Sequence, residues 1–85
     1  MNRVLTLDDS AIYRIQIQGV LGAHWADYLG GLDISVDEDL QPPVTTLSGQ
    51  VIDQAALIGI INGVYDLGFP LLSVKYESIS RDPRR

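Results

Sequence analysis

Residues 44–78 read VTTLSGQVIDQAALIGIINGVYDLGFPLLSVKYES, and this stretch decides the fold because its hydrophobic period changes twice. From Val44 to Val51, Thr45, Leu47 and Val51 fall on one side, and Thr46, Ser48 and Gln50 on the other. That is a strand with one buried face. From Gln54 to Leu67 the spacing becomes helical, with Leu57, Ile60, Ile61, Val64 and Leu67 in one stripe. Asp53 stands where an N-cap is wanted, Gly68 where a helix ends, and Pro70 prevents continuation. Leu71 to Ser78 alternates again, with Leu72, Val74 and Tyr76 expected inward and Ser73, Lys75 and Glu77 outward.

The residues upstream repeat this pattern. Ala11 to Gln18 sets Tyr13, Ile15 and Ile17 against Arg14, Gln16 and Gln18, a strand ended by Gly19. Val20 to Leu29 carries Leu21, Trp25, Tyr28 and Leu29 at helical spacing, and Gly30-Gly31 supplies a left-handed stop. Leu32 to Val36 is a third alternating run, followed by a polar loop closed by Pro42-Pro43. The order is strand, helix, strand, strand, helix, strand. Two right-handed crossovers joined this way predict an α+β, ferredoxin-like β-α-β-β-α-β sandwich, a four-stranded antiparallel sheet with two helices on one face. The alternative is another two-layer arrangement of the same elements. Residues 1–10 are expected to be an N-terminal extension or short strand, 11–79 a single domain, and 80–85 a tail.

Charge narrows the function classes. The chain has 85 residues and a formal net charge of −5. Between Ser10 and Ile79 the bases are Arg14 and Lys75, against Asp27, Asp33, Asp37, Glu38, Asp39, Asp53, Asp66 and Glu77. Such a body repels phosphate backbones, so neither nucleic acid nor an anionic membrane is an expected partner. Arg81, Arg84 and Arg85 belong to the tail and read as a solvated terminus. Without cysteine there is no disulfide framework and no thiolate metal site. The apolar run Ala55–Ile61 is too short to span a bilayer, and a cytoplasmic location is expected.

The outer face of the second helix carries Ala55, Gly59, Asn62, Gly63 and Asp66, with Ile58 and Tyr65 on its flank. A solvated helix face ordinarily carries Lys, Glu and Arg, whereas here Asp66 is the one charge. Two glycines inside a helix cost roughly 1 kcal/mol each relative to alanine. Ala55, Gly59 and Gly63 recur every fourth residue, a small-x-x-x-small row that favours close helix approach. We take Ala55, Ile58, Gly59, Asn62, Gly63 and Asp66 as candidate oligomer-interface residues, a dimer being the simplest closed assembly. Packing against the first helix of the same subunit is the competing explanation.

The solvent face of the sheet is expected to hold Arg14, Gln16, Thr46, Ser48 and Lys75, a candidate site for a small polar ligand or a protein partner, anchored by Arg14, with an ordinary solvated sheet face as the favoured alternative and a sheet-to-sheet dimer as a third. It lacks the exposed aromatics with which RNA-binding sheets stack bases. His24 is the sole histidine, and Asp27 is near enough in sequence to orient it. A half-exposed structural histidine is the favoured explanation. Asp33, Asp37, Glu38 and Asp39 lack the glycine turn and distal glutamate of a calcium loop, and charge on an edge strand also blocks edge pairing. No Walker loop, dinucleotide fingerprint, serine-nucleophile motif or zinc spacing is present, so neither a catalytic residue, a metal nor a cofactor is expected.

Two resemblances follow. Val51-Ile-Asp-Gln-Ala-Ala-Leu57 and Leu71-Leu-Ser-Val74, with Tyr13-Arg-Ile-x-Ile-x-Gly19 and Thr45-Thr-Leu-x-Gly49, resemble a family of short, uncharacterised bacterial proteins. That resemblance implies a stand-alone domain, and the family places a histidine where this chain has Ile58. Gln18-Gly19-Val20-Leu21 is similar to the glycine and leucine of the ACT-domain loop Asp-x-Pro-Gly-Leu, without its acid and proline. ACT domains bind amino acids at subunit interfaces, and here the likeness rests on fold order. The favoured expectation is therefore a non-enzymatic oligomeric module binding a protein partner or small polar ligand. The alternatives are an ACT-like amino-acid sensor and a small dimeric enzyme or haem-handling protein using His24.

Overall fold

The computed structural model describes residues 4–79; residues 1–3 and the expected tail at 80–85, with its arginines, lie outside the described residues. Four strands form one antiparallel sheet: β1 (Ala11–Gln18), β2 (Asp33–Asp37), β3 (Val44–Val51) and β4 (Leu71–Ile79). Their order across the sheet is β2-β3-β1-β4, so β1 and β3 are central and β2 and β4 are edges. One α-helix, α1 (Gln54–Asp66), lies on one face. Among the described residues no helix is long and apolar enough to cross a membrane.

The alternation in β1 works as its sequence requires. Ala11, Tyr13, Ile15 and Ile17 are buried on the helix side, with Thr45, Leu47 and Val51 of β3 beside them. Leu57, Ile60 and Val64 of α1 close over this surface. The helix begins because the Asp53 carboxylate accepts a hydrogen bond from the Ala56 amide at 2.8 Å, satisfying one otherwise orphaned donor. It ends at Gly68, whose φ of +89° is open to glycine at little cost. Residues 4–10 form no strand. Leu5 packs on the core, and the Leu7 carbonyl accepts from the Gln54 amide at 3.0 Å.

The expected first helix, Val20–Leu29, is the main correction to the two-helix sandwich. What forms is a 3-10 turn at Ala23–Trp25 followed by further turns. Thr45 explains the loss. Its buried hydroxyl donates to the Gly19 carbonyl at 2.6 Å and accepts from the Leu21 amide at 3.1 Å. This holds the chain extended through Gly22, whose ψ is 143°. The residues left before Gly30 make only tight turns, and no side chain caps their start. Leu21, Leu29 and Leu32 are nevertheless buried, whereas Trp25 is half-buried and Tyr28 is exposed. The crossover fills its part of the core without helical hydrogen bonding.

Candidate functional site

The second departure concerns β4, whose residues Leu72, Val74 and Tyr76 were expected inside. The ladder between β1 and β4 pairs Ile17 with Leu71, Ile15 with Val74 and Tyr13 with Tyr76. Directly paired residues share a face, so Leu71, Val74 and Tyr76 lie on the helix side. They are nonetheless 45%, 38% and 43% exposed, beside β1 partners that are buried. Leu72 is the extra residue of a bulge and has no β1 partner, and Glu77 is the extra residue of a second. The insertion at Leu72 shifts the alternation ahead of Ser73, which is why Leu71 takes the place expected for Leu72, and the one at Glu77 sets Ile79 opposite Ala11.

The helix borders this strip on one side. Gln54, Ile58, Ile61 and Tyr65 fall on one flank of α1 by their spacing. The Gln54 side-chain amide donates to the Tyr13 hydroxyl, and the Tyr13 ring meets the Tyr76 ring edge to face, centroids 6.1 Å apart. That flank therefore adjoins β4. Ile58 is half-exposed and Tyr65 is 79% exposed. The opposite flank meets the first crossover, where Ile60 lies over Gly30 and Gly63 lies beneath Leu29 and Tyr28. An apolar strip, Ile58 and Tyr65 with Leu71, Val74 and Tyr76, is thus left without a cover among the described residues. Burial raises the pKa of Tyr13, and neighbouring Tyr76 raises it further, so its hydroxyl stays protonated.

The six residues taken from the helix's outer face do not share one environment. Ala55, Ile58, Gly59, Asn62 and Asp66 are exposed. Gly63 is buried, and a Cβ there would come within 2.8 Å of Leu29 Cδ2. Its small size is explained inside the subunit. At Gly59 a Cβ would meet nothing within 4 Å, so no internal packing accounts for that glycine.

The open face of the sheet does bring Arg14, Gln16, Thr46, Ser48 and Lys75 together, since Arg14 lies between Ser48 and Lys75 and Gln16 between Thr46 and Ser73. Much of its hydrogen-bonding capacity is used internally. The Ser73 hydroxyl donates to Gln16 Oε1 at 3.2 Å, and Gln16 Nε2 donates to the Thr46 hydroxyl at 3.4 Å. Arg14 Nε donates to Glu77 at 3.0 Å. An exposed ion pair of this kind contributes about 0–1 kcal/mol.

His24 is exposed and its ring leans on Trp25, centroids 5.2 Å apart. It makes no hydrogen bond with Asp27 or any other described residue, so the acid-base arrangement that would orient it is not assembled. Among the described residues no three histidine, aspartate or glutamate side chains converge as a metal-binding set. A depression of about 410 Å³ lies at the start of α1, lined by Leu7, Asp8, Asp53, Gln54, Ala55 and Ile58. Asp53 is already engaged there as the helix cap.

A family model described as "Domain of unknown function (DUF8691)" matches residues 12–75. No curated protein and no solved structure matches the chain.

Proposed function

We propose that this chain, which belongs to the DUF8691 family of domains of unknown function, is a non-enzymatic interaction module that binds another protein chain through the uncovered strip on the helix side of β4. One observation carries the reading. Leu71, Val74 and Tyr76 are 38–45% exposed on the same sheet face where β1 and β3 are closed from water. Withdrawing apolar surface from water is favourable by about 25 cal/mol per Å², and a contiguous exposed patch commonly marks a contact surface. Aromatic residues such as Tyr65 and Tyr76 are enriched in such contacts. The polar face is the weaker candidate, because Gln16, Thr46 and Ser73 already satisfy one another.

Co-purification of the tagged chain from its native cells tests the reading. The parent chain is expected to retain specific partners, self included, and Val74→Asp with Tyr65→Glu is expected to lose them while keeping the far-ultraviolet circular dichroism of the parent. Equal retention by parent and double variant would remove the strip from the interaction.

A further inference from the structure

Asn62 and Gly63 form the one Asn-Gly pair in the chain, and the C-terminal half of α1 holds it. We infer that Asn62 is a site of spontaneous deamidation, a modification gated by the opening of that half of the helix. In the reaction the Gly63 backbone nitrogen, its proton passing to a base in the solvent, attacks Asn62 Cγ. A bond forms between that nitrogen and Cγ, the Cγ–Nδ2 bond breaks and ammonia leaves, closing a five-membered imide. Water then opens the imide at either carbonyl. Opening at Cγ leaves aspartate, and opening at the Asn62 backbone carbonyl leaves isoaspartate, whose main chain runs through Cβ and Cγ. The net change turns an amide and water into a carboxylate and ammonium.

The packing supplies both the reactivity and the gate. Asn62 is exposed, so water and base reach its side chain. A following glycine shields its own nitrogen least, because it has no Cβ. The interior imposes that glycine: a Cβ at position 63 would come within 2.8 Å of Leu29 Cδ2 and 3.4 Å of Tyr28 Cε2. Close packing of α1 thus requires the residue that makes Asn62 labile. The gate is the helix itself. In the helical pattern the Gly63 amide is bonded to the Gly59 carbonyl, and ring closure needs Asn62 to leave the helical ψ of about −42°. Two features of this half favour opening. Gly59 costs backbone entropy, and no neighbour uses the space that its missing Cβ leaves. Asp66 stands in the last turn, which has no basic residue, against the sign that the helix dipole favours there. The modification does not reverse on reclosure. Isoaspartate adds a carbon to the main chain between positions 62 and 63, so the helical bonds across it lose register and Gly63 cannot return to its place against Leu29.

Incubation of the full chain at mildly alkaline pH, folded and in denaturant, tests the inference, read by peptide mass mapping and by enzymatic methylation of isoaspartate. Conversion at Asn62 is expected in both, slower in the folded chain by at least about tenfold, the equivalent of an opening free energy of about 1.4 kcal/mol. Gly59→Ala, whose Cβ meets nothing within 4 Å, should slow the folded chain's reaction by about fivefold, the equivalent of about 1 kcal/mol, and leave the rate in denaturant unchanged. The aged parent should melt at a lower temperature than the fresh one. Asn62→Gln, which cannot close the five-membered ring, should melt alike fresh and aged. No conversion at Asn62 in the folded chain overturns the site. Equal rates in folded and denatured chain, or a folded Gly59→Ala rate equal to that of the parent, overturn the gate. A fully converted parent that melts like the fresh one overturns the structural consequence.

Discussion

β3 and β4 flank the same central strand, and their fates differ. Both send side chains to the helix side, Thr45, Leu47 and Val51 on one and Leu71, Val74 and Tyr76 on the other. Those of β3 are buried and those of β4 are not. The difference does not lie in the strands. The 19–32 crossover and α1 share the cover over β3, and only one flank of α1 reaches β4. Alternation specifies a face that water should leave, while the neighbouring layers decide whether it does.

Substitutions can break or sharpen this comparison. The largest effect is expected on the covered side, where Ile15→Ala should lower the unfolding free energy by about 2–5 kcal/mol in chemical denaturation. Thr45→Val, nearly isosteric, should cost about 1–3 kcal/mol by the same measurement, since it strands the Gly19 carbonyl and the Leu21 amide. Gly59→Ala should stabilise by up to about 1 kcal/mol. Gly63→Ala should not gain this, because Leu29 must move to admit the methyl group. On the open side, Val74→Ala should cost no more than about 1 kcal/mol in dilute solution, as its removed carbons are only partly withdrawn from water. A cost equal to that of Ile15→Ala would mean that β4 is covered even when dilute. A cost that grows with protein concentration would show a second chain supplying the cover.

The smallest effect is on pH dependence. Tyr13 has a raised pKa in the folded chain, caused first by burial. The unfolded chain then loses this proton at lower pH than the folded one. Its contribution is complete below the ordinary tyrosine pKa of about 10 and declines as pH rises through the folded value. Tyr13→Phe should flatten that alkaline decline in thermal melts recorded from neutral to high pH.

How much of this was legible in the sequence follows the range of the forces involved. The limits expected for β1, Ala11 to Gln18, and for β3, Val44 to Val51, are those observed, and α1 stops one residue earlier than expected, at Asp66. Local pattern, a capping carboxylate and a terminal glycine determine those elements. The first crossover failed because Leu21, Trp25, Tyr28 and Leu29 suit a helix only if the backbone before them is free. It is held by Thr45, which looked in the sequence like one more core residue. For the candidate surface, the lack of charge around Ile58 and Tyr65 was visible. The bare strip on β4 was not, since nothing in LLSVKYES records that no second helix lies above it. Gly63 was misplaced on the outer face for the same reason, its neighbour Leu29 being distant in sequence.

The irregularity of β4 has one more consequence. An apolar outer strand is a hazard in a concentrated solution, because identical strands can stack without limit into fibrils. Growth of that kind needs a straight, evenly spaced row of peptide groups. With one extra residue at Leu72 and another at Glu77, β4 breaks that row twice within nine residues, so the chain can display greasy side chains without seeding an endless polymer.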